Sequence, residues 1–107
     1  MIGKRLREAR QKKEMTQKSL ADELGIEGLG SASRIAGYEH DRNEPPVALT
    51  RAIAKILDVP EYYFYILDDN EAAQLLYRYH LINSNPDSKK TIIEDIQVLL
   101  NTLKTLS

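Results

Sequence analysis

The stretch Thr16-Gln17-Lys18-Ser19-Leu20-Ala21-Asp22-Glu23-Leu24-Gly25-Ile26 constrains this chain more than any other. Leu20, Ala21 and Leu24 fall on one side of a helix, and Thr16 offers its hydroxyl to an unpaired first-turn amide. Gly25 supplies the left-handed residue that ends the helix. A helix this short holds its shape only when its apolar side packs on neighbours. Ala21 marks where a crossing helix can come close. A second short pattern, ending Arg34-Ile35-Ala36-Gly37-Tyr38-Glu39, follows soon after and buries itself through Ile35 and Tyr38.

The rest of the chain also reads as helices. Ile2, Leu6, Ala9 and Arg10 share one face of a helix running to about Lys13. The flexible run Glu27-Gly28-Leu29-Gly30 leads to Ser31, expected to cap a helix over residues 32–40. After the polar turn at 41–44, Pro45-Pro46 opens a helix whose core side is Leu49, Ile53, Ile56 and Leu57. Pro60 starts a short aromatic helix over 61–67. Two of the rings in Tyr62-Tyr63-Phe64-Tyr65 are expected to complete the core, the others to cover the junction with the tail. Asp68-Asp69 cap a helix over about 70–82, with Leu75, Leu76, Tyr79 and Ile82 as its apolar positions. Asn83-Ser84-Asn85-Pro86 breaks it, and a last helix covers about 87–103. The expected fold is all-α, with five helices in a compact domain over 1–67 and a two-helix hairpin over 68–107.

Composition excludes several chemistries. Cysteine is absent, so disulfides, thiolate metal sites and thiol catalysis are ruled out. No apolar run approaches the roughly 20 residues that span a bilayer, and no apolar stretch follows the basic start as in a signal peptide, so a cytoplasmic location is expected. His40 and His80 are isolated and lack metal-ligand spacing. No nucleophile with a base and an orienter stands out, and the reading is of a protein without enzymatic activity or cofactor. The net charge of -1 hides an asymmetry. Residues 1–55 carry 11 Lys/Arg against 8 Asp/Glu, whereas residues 56–107 carry 4 against 8. The front half is suited to facing phosphates and the back half to avoiding them.

The chain resembles the Cro/repressor-type helix-turn-helix family, also called xenobiotic-response-element-like. The likeness rests on an ordered series over about the first 67 residues: 2–10, 15–26, Ile35-Ala36-Gly37-Tyr38-Glu39, the turn ending at Pro45, and 49–60. It implies a five-helix, lambda-repressor-like bundle that binds double-stranded DNA as a dimer on an inverted repeat. One departure stands out. The family places six residues between the turn glycine and the buried aliphatic of its reading helix, whereas Gly25 to Ile35 is ten. Either the added residues form a loop, which costs little in closure entropy, or the third helix starts early near Glu27.

The resemblance and the residue chemistry together assign a DNA-binding set. Gln17 opens the second helix, where the family uses a glutamine to hold the phosphate backbone. Ser31, Ala32, Ser33 and Arg34 lie at the tip of the reading helix. Ser33 suits a base edge, Ala32 a thymine methyl, and Arg34 a guanine or a phosphate. Gly37 would permit close approach on the groove side. Arg42 and Asn43 follow the helix as backbone contacts, and Lys18, with Lys4, Arg7, Lys12 and Lys13, adds longer-range attraction. Arg10 and Glu39 match a family pair that ties helix one to the end of helix three.

The tail carries Ile92, Ile93, Ile96, Leu99, Leu100 and Leu103 at three- and four-residue spacing. This stripe is wider than packing on one neighbour requires, so the last helix is read as a homodimerisation element. The function expected is a transcriptional regulator, acting as a repressor. The alternative is an antitoxin or other protein-interaction module that binds a partner, such as a toxin, through the C-terminal helices.

Overall fold

The computed structural model describes the backbone of residues 1–84 and 86–106 and the side chains of residues 1–84 and 93–105. Among the described residues there are six α-helices, one 3-10 helix and no strand. In order they are α1 (Gly3–Lys12), α2 (Gln17–Glu23), α3 (Ser31–Glu39), α4 (Val47–Leu57), the 3-10 helix (Glu61–Tyr65), α5 (Asp69–Ser84) and α6 (Pro86–Leu106). The all-α class read from periodicity is the class observed.

α2 begins and ends as its residues demand. The Ser19 amide donates to the Thr16 hydroxyl (3.0 Å), and the Thr16 amide donates to the Ser19 hydroxyl (2.9 Å), so two orphan donors are satisfied reciprocally. At the other end Gly25 takes φ 74, and the Ile26 amide turns back to the Ala21 carbonyl (3.0 Å). Leu20 and Ala21 are fully buried, and α2 packs against α3 and α4. The methyl-sized Ala21 lets α2 and its neighbours approach closely.

The core gathers Leu6 and Ala9 from α1, Leu20 and Ala21 from α2, Ile35 and Tyr38 from α3, and Ile53, Ala54 and Leu57 from α4. Val59, Tyr63, Phe64, Ala72 and Leu76 complete it. The inward stripe of α4 differs from the expected one. It centres on Thr50, Ile53, Ala54 and Leu57, and Leu49 and Ile56 are only partly buried. Thr50 tolerates burial because its hydroxyl donates to the Pro46 carbonyl (3.2 Å). Tyr63 and Phe64 meet edge to face with centroids 5.9 Å apart. Tyr62 and Tyr65 remain exposed.

By compactness the chain divides into Met1–Leu76 and Tyr77–Ser107, a division that falls inside α5. Ala72 and Leu76 account for its place, since both are buried in the first unit's core. Asp68 caps α5 by accepting from the Glu71 amide (2.9 Å). Arg5 adds a second tie. It is 2% exposed, and its guanidinium donates to the Ile66 (2.9 Å) and Leu67 (3.0 Å) carbonyls while pairing with Glu8 and Asp69. Burial opposes the Arg5 charge, but the Asp69 and Glu8 carboxylates outweigh it and raise the pKa above the ordinary value. Hydrogen bonds from Lys4 and Arg5 in turn hold the Asp69 carboxyl below the usual carboxylate range. Burial, with the neighbouring Glu8 carboxylate, pushes the Tyr63 hydroxyl up.

In the second unit, α6 opens at Pro86, where a proline costs no hydrogen bond. Every described side chain of α6, from Ile93 to Thr105, is exposed. No described helix is long and apolar enough to cross a membrane.

Candidate nucleic-acid interface

The run Glu27-Gly28-Leu29-Gly30 forms a loop, which settles the choice between a loop and an early helix. Gly28 takes φ 104, a conformation open to glycine and costly to other residues. α3 then begins at Ser31, with Gly30 as its N-cap. Ser31 is therefore the first residue of the helix and not its cap. It is 3% exposed, so its hydroxyl is removed from the surface that would meet a base.

The start of α3 fixes which of its residues face out. Ile35, Tyr38 and Glu39 point inward, Ala32 and Ala36 are half-buried, and Ser33 and Arg34 are exposed. The Arg34 Nε donates to the Tyr38 hydroxyl (3.2 Å), which orients the guanidinium one turn along the helix. Gly37 is buried, contrary to its expected place on the groove side. A Cβ at Gly37 would lie 3.1 Å from the Asn43 side-chain nitrogen. The Gly37 carbonyl also accepts from the Arg42 (2.9 Å) and Asn43 (3.4 Å) amides. Gly37 thus makes room for the turn that follows α3. Arg42 and Asn43 are exposed on that turn.

The C-terminal end of α3 is held by charge. Arg10 grips Glu39 with two nitrogens, Nε to Oε2 at 2.7 Å and Nη2 to Oε1 at 3.1 Å. The Glu39 side chain is 2% exposed and that of Arg10 12%. Arg10 Nη1 also donates to the Met15 carbonyl (2.7 Å), so one guanidinium joins α1, the α1–α2 turn and α3. Gln17 Nε2 donates to Glu39 Oε1 (3.3 Å), which fixes the first side chain of α2 from below. A planar, bidentate pair of this kind resists rotation of either helix. Lys18 lies exposed and pairs with Asp22 (2.5 Å), so part of its charge is answered locally.

Gly3, which helps to hold this arrangement, and Arg5, which ties α1 to the 66–69 segment, carry no role in the sequence reading. Gly3, in the first turn of α1, lies so close to the end of α3 that a Cβ would stand 2.2 Å from the Glu39 carbonyl oxygen. Its amide donates to Asp41 Oδ1 (2.7 Å), so the turn after α3 caps α1. A glycine placed in a helix, where it costs stability, was the available signal for such a close approach. Arg5 is the other. Its place four residues before Ala9 puts it on the buried side of α1, and that register was its only signature.

A family model described as a helix-turn-helix domain matches residues 3–69. The chain belongs to the helix-turn-helix family, of the Cro/repressor type that its sequence resembles. Among solved structures, the crystal structure of transcriptional regulator BswR is similar over 95% of this chain and 98% of that one, with 30% identity and a TM-score of 0.82. The curated proteins hold no match to the chain.

Proposed function

We propose that this chain is a sequence-specific double-stranded DNA-binding transcriptional regulator, a repressor that acts as a homodimer on an inverted-repeat operator. The observation that carries the reading is α3 itself. Its inner face is anchored by Ile35, Tyr38 and the Arg10–Glu39 pair, while Ser33 and Arg34 stand exposed at its first turns with Ala32 beside them. A helix rigidly seated on one side and polar on the other can enter a major groove without losing packing. Likeness to a protein titled a transcriptional regulator supports the same conclusion.

In this reading Ser33 and Arg34 touch base edges and Ala32 packs on a thymine methyl. Gln17, Lys18, Arg42 and Asn43 contact the phosphate backbone and set register. Ser31 and Gly37, both buried, support the reading helix and touch no base. Repression is steric, since a dimer held on its operator obstructs polymerase.

The dimer rests on α6. Ile93, Ile96, Leu99, Leu100 and Leu103 are 46–63% exposed on a helix none of whose described side chains is buried. Ile92 belongs to the same stripe by spacing, but its side chain lies outside the described residues. Apolar exposure on this scale calls for another chain, and a second copy supplies an identical row about a two-fold axis. The same row would suit the antitoxin reading, for which co-purification with a neutralised toxin is the mark.

Selection of bound duplexes from a random pool, followed by a salt series on the winner, tests the proposal. The expected result is an inverted repeat whose half-sites are about one helical turn apart, with affinity falling steeply as salt rises. Enrichment of no duplex overturns it.

A further inference from the structure

The loop before α3 carries a side chain that the proposed reading leaves unused. Leu29 is 109% exposed, more than in an extended chain. The loop around it is held at both ends. On one side the Ile26 amide bonds the Ala21 carbonyl (3.0 Å), and Ile26 packs against the core. On the other the Ser31 amide bonds the Gly28 carbonyl (3.3 Å). Nothing lies within 4 Å of where a Cβ would stand on Gly28 or Gly30, so the loop stands clear of its own chain. A single exposed leucine is ordinary on a surface. This one sits two residues before the first turn of the helix read here as the groove-entering element.

The chemistry of the loop narrows what it can touch. Residues 25–33 contain no Lys or Arg, and their one charged side chain is Glu27, so the loop cannot clamp a phosphate through charge. What remains at its tip is apolar. The apolar group that a major groove offers is the thymine C5-methyl.

We infer that Leu29 is a specificity-determining residue whose side chain packs on a thymine C5-methyl, lengthening the half-site beyond the bases read by α3. This rests on the DNA-binding reading above and adds a contact to it. The lengthened turn then acts as part of the reading surface and is more than a tolerated insertion.

The test replaces each thymine of the selected duplex in turn by deoxyuridine, which removes only the methyl. Binding of the full chain is compared with that of Leu29→Ala. One thymine per half-site is expected at which the replacement weakens the parent chain about fourfold, the worth of one buried methyl, and leaves Leu29→Ala unaffected. The salt slope of Leu29→Ala is expected to match the parent, since no phosphate contact is lost. Its denaturation midpoint is also expected to match, because Leu29 touches no core residue. If Leu29→Ala responds to every replacement as the parent does, the inference fails while the regulator reading stands. If no duplex is enriched, both fall.

Discussion

α3 and α6 are both amphipathic by spacing, and the structure treats them in opposite ways. The apolar residues of α3 vanish into the core of their own chain, and its far end is locked by Arg10, Gln17 and the close approach of Gly3. α6 keeps its aliphatic row on the surface. A reading helix must be placed to within a fraction of an ångström, so its position is over-determined by contacts inside one chain. A helix that joins two chains must leave its contacts unmade until the partner arrives. On the reading proposed above, the difference separates a helix finished by folding from one finished by association.

The largest expected effect comes from attacking the lock on α3. Glu39→Ala strands the Arg10 guanidinium and removes the Gln17 partner, at a cost of roughly 3–5 kcal/mol, with DNA binding lost in parallel. An unchanged midpoint in chemical denaturation would mean that α3 is seated by its apolar face alone. Gly3→Ala comes next. The added methyl meets backbone and not a movable side chain, so about 3 kcal/mol is expected. A folded variant of parental stability would show that the close approach is not required.

On the other side of the comparison, Ile96→Asp combined with Leu100→Asp should yield a monomer at micromolar concentration by sedimentation. The unfolding of the first unit should be unchanged, because neither side chain is buried in the chain. A variant that stays dimeric would place the interface elsewhere. A smaller effect, of opposite sign, is expected at Glu14, whose φ of 55 is left-handed. Glu14→Gly should raise stability by about 0.5 kcal/mol, and a lower melting temperature would refute the strain.

The smallest effect is expected from acid. The folded-state pKa of Asp69 is depressed by Lys4 and Arg5, so its contribution is full above the ordinary carboxylate value of about 3.9. It is lost as pH falls through the lower folded value. Asp69→Asn should therefore be less stable than the parent at pH 6, with the gap narrowing as pH falls below the ordinary carboxylate range. A gap that stays constant through acid would show that the carboxylate's charge is not what holds the start of α5.

Much of this was legible residue by residue. Thr16 and Gly25 mark the limits of α2 because a cap and a left-handed stop are local properties of the backbone. Pro86 marks a break after α5 for the same reason, although α6 begins at Pro86 itself and not at about Asp87 as the spacing predicts. Arg10 and Glu39 were paired by resemblance, and their geometry is that of a bidentate bridge. The sequence reading counts Ser31 and Gly37 among the DNA-contacting residues, whereas both are buried. Ser31 lies four residues before Ile35 and seven before Tyr38, so once it is inside the helix and not its cap it shares their inward face. Spacing shows that a helix has two faces but not how deeply each residue on a face will sit.

What the chain's residues determine by themselves is the set of helices and those ends that a cap, a glycine or a proline marks, since these follow from hydrogen bonds and rotations within a few positions. The tertiary structure alone decides that Gly3 lies against the Glu39 carbonyl, that Arg5 is swallowed by the 66–69 segment, and that Leu29 stands in the open. Those outcomes depend on where distant helices cross, and a crossing is set by the joint packing of many side chains that no local pattern contains.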